Sequence, residues 1–264
     1  MRRMIRRPLY ALYARRLRRQ VMAGPLPQHI GLIMDGNRRW ARQAGLSNPS
    51  LGHQVGAEHA DRVLTWCEAI GIDHVTVFVC STENLLRRSG SEVAFLMRVV
   101  ERLVTDRLGR PDAQWQVHVA GLLDLLPDST ACALKDAVEA TRHCGTGRHL
   151  TLAVGYGGRQ EVVDALRDAL YDRAAAGQSL RDVAIDLTAD DIATDITAHL
   201  YTAGRPDPDL VIRTSGEQRT SNFLLWQSAY SELYFCDAYW PAFREIDLLR
   251  ALRGFAARQR RFGS

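Results

Sequence analysis

Lysine is almost absent from this chain: among 264 residues only Lys135 is a lysine, and the letters before it read Cys132-Ala133-Leu134. A GxxxxGK[ST] phosphate loop cannot be built around it, and no strand-like run ends in GxGxxG, which removes most ATP- and NAD-dependent chemistry. Cysteine is sparse and scattered: Cys67, Cys80, Cys132, Cys144 and Cys236 are odd in number and lack CxxC spacing. They suggest neither a disulfide framework nor a zinc site and read as reduced core thiols. No window approaches the roughly 18 uninterrupted apolar residues of a membrane-spanning helix, and residues 1–24 hold too short an apolar stretch for a secretory signal. A cytoplasmic protein is the expectation.

Acid is missing from the first 34 residues. Residues 1–20 carry eight arginines, so the formal charge of +4 leaves the remainder at −4. Leu9, Tyr10, Leu12, Tyr13 and Leu17 interleave with those arginines at near-helical spacing. The arm (1–24) could lie on an anionic membrane surface at the inner face of the plasma membrane, or could pack its apolar side chains on its own domain. Nucleic acid is not expected as a partner, because nothing downstream supplies a reading motif.

What the rest of the chain has is alternation. Short apolar runs at 29–36, 74–81, 114–121, 149–158, 209–216 and 231–237 are separated by amphipathic stretches at 56–71, 91–108, 128–144 and 158–177. This order predicts one α/β domain over 25–264, with a mostly parallel, open, six-stranded sheet flanked by helices. Ligands of such sheets bind at the carboxyl ends of the strands, where Asp35, Ser81, Gly155 and Arg213 fall. Asp35, the first acid, is followed by Arg38, Arg39 and Arg42. A carboxylate beside guanidinium forks is what a magnesium-bridged diphosphate requires. A second set of oxyanion donors, Arg213, Arg219 and Ser221, follows a later strand, and Glu232 opens the last one. The acids of "ADDIATD" (189–195) suit a helix capped by Thr188 better than an aspartate-rich metal motif.

Six segments in order, "IMDGNRRWA", "GHQVGAE", "STENLLR", "GYGGR", "DLVIRTSGEQRTSNFLLWQSAYSELYF" and "RRFG", resemble the cis-prenyltransferase (Z-isoprenyl diphosphate synthase, undecaprenyl diphosphate synthase) family over about residues 26–263. The motif variants are closest to short-chain bacterial Z-farnesyl diphosphate synthases. The resemblance implies a Mg²⁺-dependent transferase that adds isopentenyl diphosphate to an allylic diphosphate, geranyl diphosphate favoured, giving a short product such as Z,E-farnesyl diphosphate. It implies catalytic roles for Asp35 and Asn84. It implies allylic-substrate contacts from Gly36, Asn37, Arg38, Arg39, Trp40, His53, Ser81, Thr82, Glu83 and Arg87. Isopentenyl diphosphate would meet Arg213, Arg219, Thr220 and Ser221, and Asp35 and Glu232 would hold the metal. An apolar tunnel between sheet and helices would take the growing chain, with Val79, Cys80, Leu85 and Leu150, and further Leu96 and Val100, as its walls. Homodimerisation and a tail contribution from Arg261 and Gly263 are also implied. For His53 the closing of a helix start, and for Trp40 a place in the core, remain open as other readings.

The chain departs from the family pattern at Arg38, commonly glycine, at "NPSLGH", which lacks an arginine that Arg38 or Arg42 could replace, at Gln218 and at Leu85. Three alternatives stand beside this expectation: a long-chain decaprenyl or undecaprenyl diphosphate synthase for a cell-wall lipid carrier, a non-catalytic partner subunit, and a membrane-associated adaptor.

Overall fold

The structure, a computed structural model, describes residues 2–110, 113–186 and 188–258. Each of the six apolar runs contains a strand: β1 (His29–Ile33), β2 (His74–Ser81), β3 (Gln116–Ala120), β4 (His149–Tyr156), β5 (Leu210–Arg213) and β6 (Glu232–Phe235). They hydrogen-bond in the order β3-β4-β2-β1-β5-β6, and every neighbouring pair is parallel. Five of the strands end one to three residues before the apolar letters do and β2 ends with them at Ser81; Met34–Asp35 and Thr214–Gly216 already belong to the loops that carry polar groups.

Side-chain alternation along each strand splits the interior in two. Ile30, Leu32, Val75, Val77, Leu150, Leu152, Leu210 and Ile212 belong to the larger core. Ile33, Ala153 and Val211 turn to the other face, where Phe223, Leu224 and Tyr156 join them. The larger core is covered by α3 (Leu51–Ile70), α5 (Gly90–Leu103) and α6 (Asp128–Thr141), and by α10 (Glu245–Ala257), a helix absent from the sequence expectation. α5 runs directly into a π-helical turn, Val104–Leu108. On the other side α7 (Gly158–Ala175) packs with α9 (Ala189–His199). A capping box between Thr188 and Asp191 starts α9, so these acids serve the helix terminus.

Most of the arm is helical, Arg2–Met22 (α1), and it packs along α10. Leu17 and Val21 are each 1% exposed and sit in the larger core. Arg18 donates to the Ala69 carbonyl at 2.7 Å, and the Arg244 and Arg250 guanidinium groups lie over the Tyr10 and Tyr13 rings. One face of the helix therefore packs on its own domain. Leu12, Arg15, Arg16, Arg19 and Met22 are exposed on the opposite face. Among the described residues no helix is long and apolar enough to cross a membrane.

If the helix is integral to the fold, Leu17→Ala costs about 2–5 kcal/mol of unfolding free energy, the range for emptying a buried leucine site. Urea denaturation measures it; a change within error would detach α1 from the cooperative unit.

Candidate active site

The chain runs from β1 to β2 on one side of the sheet and returns on the other side to β5, so β1 and β5 are neighbours whose outgoing loops diverge. A crevice opens there, at the carboxyl ends of the two strands. Register places Arg213 beside Ile33, and Asp35 lies two residues beyond it.

Three elements converge on the Asp35 carboxylate. Arg213 Nη2 donates to Oδ2 at 2.8 Å. Arg39, on α2 (Asn37–Gln43), donates from Nη2 to Oδ1 at 3.1 Å and to Ser215 Oγ at 2.7 Å. The Gly36 amide donates to Oδ1 at 2.6 Å, while the Thr214 hydroxyl donates to the Asp35 carbonyl at 2.7 Å. Burial pushes the Asp35 carboxyl up, but the hydrogen bond and charge of Arg213, then Ser215 and Arg39, outweigh it and hold the group below the ordinary carboxylate range. Arg213, whose side chain is 6% exposed, also donates from Nη1 to the Arg219 carbonyl and to Ser221 Oγ, both at 2.6 Å. Glu217 joins Arg39 to Arg219 at the rim.

Local backbone choices make this convergence possible. Gly36 has φ +97°, and a Cβ there would stand 2.6 Å from the Tyr239 ring. The start of α3 approaches Asn37 so closely that a Cβ on Gly52 would fall 2.1 Å from the Asn37 carbonyl oxygen, and one on Gly56 2.3 Å from its Oδ1. The loop after β5 is strained: Ser215, Ser221, Asn222 and Leu224 all have positive φ. Non-glycine residues stay there only when neighbours hold them, and such strain gathers at functional sites. Phe223 and Leu224 are fully buried, and Gln227 donates to the buried Glu161 and to Thr202.

Below the polar mouth lies a cavity of about 550 Å³. Asp35, Asn37, His53, Ser81, Glu83, Asn84, Arg88, Arg213 and Ser221 line its upper part. Its floor and walls include Ala60, Leu64, Val77, Val79, Cys80, Leu96, Val99, Val100, Leu103, Leu108, Leu150 and Leu152, with the Asp61 carboxylate, which pairs with Arg107, beside them. It runs between the larger-core face of β2 and β4 and the helices α3 and α5.

Most of the expected residues share the cavity or its rim. Asp35, Asn37, His53, Ser81, Glu83, Asn84, Arg213 and Ser221 share the mouth, with Gly36 and Arg39 bonded to Asp35; Val79, Cys80, Leu150, Leu96 and Val100 line the apolar part. Ser81 caps α4 (Thr82–Arg87) by accepting the Asn84 amide at 3.1 Å, and Thr82 bonds the Glu83 carboxylate. Thr220 and Arg219 belong to the outer loop, Trp40 is half-buried in α2, and Arg38 reaches Glu92 at 3.3 Å rather than Asp35. Three residues stand elsewhere. Arg87 ends α4 exposed, and Arg88, one residue on, enters the cavity in its place. Leu85 packs within 3.5 Å of where a Gly155 side chain would begin, outside the cavity lining. Glu232 opens β6, opposite Leu210 at the amino end of the sheet, where it pairs with Arg258; the chain does not bring it to Asp35. Arg261 and Gly263 lie outside the described residues.

Sequence reasoning passed over Thr214, Ser215, Glu217, Arg88, Glu92 and Asn222. Asn222 accepts the Arg159 amide at 2.9 Å and donates to Glu83 at 3.1 Å, tying the strained loop to α4 and α7. The letters "RTSGEQRTSN" carry these donors, but which of them turns inward is set by the positive-φ residues, which composition does not mark.

Among the described residues no three His, Cys, Asp or Glu side chains gather as a metal cage. A carboxylate offers about four lone-pair sites, and Asp35 has three engaged, by Gly36, Arg39 and Arg213. One position on Oδ2 remains. That donor set fits Mg²⁺, which typically takes one or two carboxylates, substrate phosphate oxygens and waters.

A family description, putative undecaprenyl diphosphate synthase of the prenyltransferases, matches residues 33–263. The chain is 72% identical to an isoprenyl transferase of Streptomyces fradiae, covering 97% of each chain. It is 52% identical to a (2Z,6E)-farnesyl diphosphate synthase of Thermobifida fusca, over 98% of this chain and 99% of the other. Among solved structures, lavandulyl diphosphate synthase from Lavandula x intermedia, in complex with dimethylallyl diphosphate, superposes with a TM-score of 0.80 at 35% identity, covering 90% of this chain and 99% of that one.

Because Asp35 ionises below the ordinary range when folded, its contribution to stability is present above the unfolded-state value near 3.9 and is lost as pH falls through the folded value. Asp35→Asn is therefore expected to be less stable by about 1–2 kcal/mol at neutral pH, since it leaves Arg213 buried without its counter-charge. That difference should shrink as pH falls below 4. Urea melts at a series of pH values check this, and a difference independent of pH would remove the ion pair as its cause.

Proposed function

The chain belongs to the prenyltransferase family described as undecaprenyl diphosphate synthase, and from that premise we propose that it joins isopentenyl diphosphate to an allylic diphosphate with Z geometry, stopping at a farnesyl-length product. The observation that carries the reading is the Asp35 carboxylate held between Arg39 and Arg213 at the polar mouth of a largely apolar cavity.

The chemistry needs both halves of that cavity. Breaking the allylic C–O bond leaves negative charge on the departing diphosphate, and Arg39 and Arg88 are placed to receive it. Arg213, Ser221 and Arg219 offer a second diphosphate its donors, so the isopentenyl group would sit beside the allylic carbon. Asp35 would hold Mg²⁺ at its remaining Oδ2 position; bound there, the ion supplies positive charge to the diphosphate oxygens. The apolar walls exclude water from the allylic cation, which would otherwise be hydrolysed. Asn84 faces the cavity at the start of α4 and orients the carbon that loses its proton; the neighbouring cationic carbon makes that proton acidic, so position counts for more than basicity.

The walls support the short product: bulky side chains, among them Leu96, Leu103, Leu108 and Leu150, line the apolar part of the cavity. The Thermobifida fusca relative, by its name, makes the same product.

The test is incubation with Mg²⁺, radiolabelled isopentenyl diphosphate and geranyl diphosphate, followed by separation of the dephosphorylated products. One added unit is expected, EDTA should abolish it, and Asp35→Ala should lower kcat at least about 100-fold. Leu150→Ala with Leu103→Ala, which deepens the floor, should shift the product to longer chains. A ladder of long products from the unaltered enzyme would keep the family and overturn the length.

The five cysteines are free, which suits a cytoplasmic enzyme. A homodimer is proposed on the resemblance, with the half-buried edge strand β6 open to a partner; sedimentation as a monomer would remove it. The outward face of α1, with Arg15, Arg16 and Arg19 around Leu12 and Met22, is proposed to touch an anionic bilayer. Replacing those three arginines by glutamine should release the protein from vesicles containing phosphatidylglycerol while turnover persists. Equal binding by the variant would leave the face solvated.

A further inference from the structure

A second charged cluster stands beside the mouth, and the clasp on Asp35 does not use it. Ser89 caps α5 by accepting the Glu92 amide, which sets the Glu92 side chain in the first turn. That carboxylate is 12% exposed and is approached by Arg38 Nη1 at 3.3 Å, Arg88 Nη1 at 3.4 Å and His53 Nε2 at 3.7 Å. The charges are near, yet the geometry is poor. Glu92 Oε1, Arg88 Nη1 and His53 Nε2 are all buried and none has a hydrogen-bond partner.

Buried polar atoms in folded proteins are nearly always partnered, so three adjacent exceptions call for an explanation. Their placement supplies one. Arg88 and His53 line the cavity, whereas Glu92 and Arg38 do not. Burial first, and the Arg88 charge second, lower the His53 pKa to about 4, so at neutral pH the ring is an uncharged donor that an anion can use.

We infer that Glu92 is a positioning residue that stands in for the diphosphate: it gathers Arg88, Arg38 and His53 while the mouth is empty, and yields them when the substrate's phosphate oxygens arrive. The inference rests on the proposed diphosphate site. Its physical content is a competition, because a carboxylate and a phosphate want the same guanidinium forks. Loose contacts at 3.3 to 3.7 Å keep the donors aimed without binding them tightly. The same competition hands the donors back when the diphosphate product leaves.

The competition has a sign that a merely structural role would not produce. Calorimetric titration of the full-length enzyme with inorganic pyrophosphate and Mg²⁺ should give a Kd roughly five- to tenfold tighter for Glu92→Gln than for the unaltered protein, because a like charge beside the anion is gone. Arg88→Gln should bind more weakly. The pyrophosphate-induced rise in Tm should likewise be larger for Glu92→Gln, whose empty state has lost the counter-charge; this second readout holds even if that variant is less stable. In steady state the Glu92→Gln variant should show a lower KM for the allylic diphosphate together with a lower kcat. Weaker or unchanged pyrophosphate binding by Glu92→Gln, with normal binding by the unaltered enzyme, would overturn the inference alone. Failure of the unaltered enzyme to bind pyrophosphate would overturn the diphosphate site and the inference with it.

Discussion

One carboxylate between two guanidinium groups organises the reaction end of this molecule. Asp35 is fixed from α2 by Arg39 and from β5 by Arg213, so the loop after the first strand and the loop after the fifth cannot move independently. Arg213 is buried enough that its charge needs an answering carboxylate, and the strong dependence of each partner on the other is the expected behaviour of a buried ion pair. The arrangement leaves guanidinium N–H groups and one carboxylate lone pair facing a crevice. Positive charge is thus assembled before any anionic substrate arrives, and little reorganisation is left for the moment when charge develops.

That charge is useful only because of what lies under it. Strict alternation along parallel strands sends Val77, Leu150 and Leu152 toward α3 and α5, and the same strands end in loops that carry polar side chains. A single cavity therefore changes from donor-rich to hydrocarbon within the depth of the sheet. An amphiphile with a diphosphate head and a prenyl tail matches this gradient in polarity. The π turn at Val104–Leu108 contributes Leu108 to the lining, beside Leu103 at the end of α5.

Much of this was legible in the letters. Inner parallel strands buried on both faces read as near-continuous apolar runs, which is why β1, β2, β4 and β5, with Asp35 and Arg213 at the ends of two of them, could be anticipated. The misplacements share a cause: they depend on orientation, which periodicity does not resolve at element ends. Arg87 and Arg88 are adjacent and chemically equal, and the choice between them follows from where α4 stops. Glu232 reads as a functional carboxylate because it opens an apolar strand, but in a parallel sheet the opening of a strand is the edge away from the site. Nothing in the letters marks Glu92; its three neighbours from α2, α3 and the end of α4 do. The arginine-rich arm was ambiguous for a similar reason: its inward and outward faces differ by a rotation of the helix, and only packing on α10 assigns Leu17 and Val21 to the core.

The central claim is that the allylic diphosphate head rests on Arg39 and Arg88 while its tail fills the cavity between the sheet and the α3–α5 pair. A crystal structure with Mg²⁺ and a thiolo analogue of geranyl diphosphate, which resists ionisation, tests it directly. The account predicts phosphate oxygens within hydrogen-bond distance of at least one of these guanidinium groups, and the geranyl carbons against Val79, Leu96 and Leu150. A head group bound outside the crevice between β1 and β5, or a tail lying on the surface with the cavity empty, would contradict it.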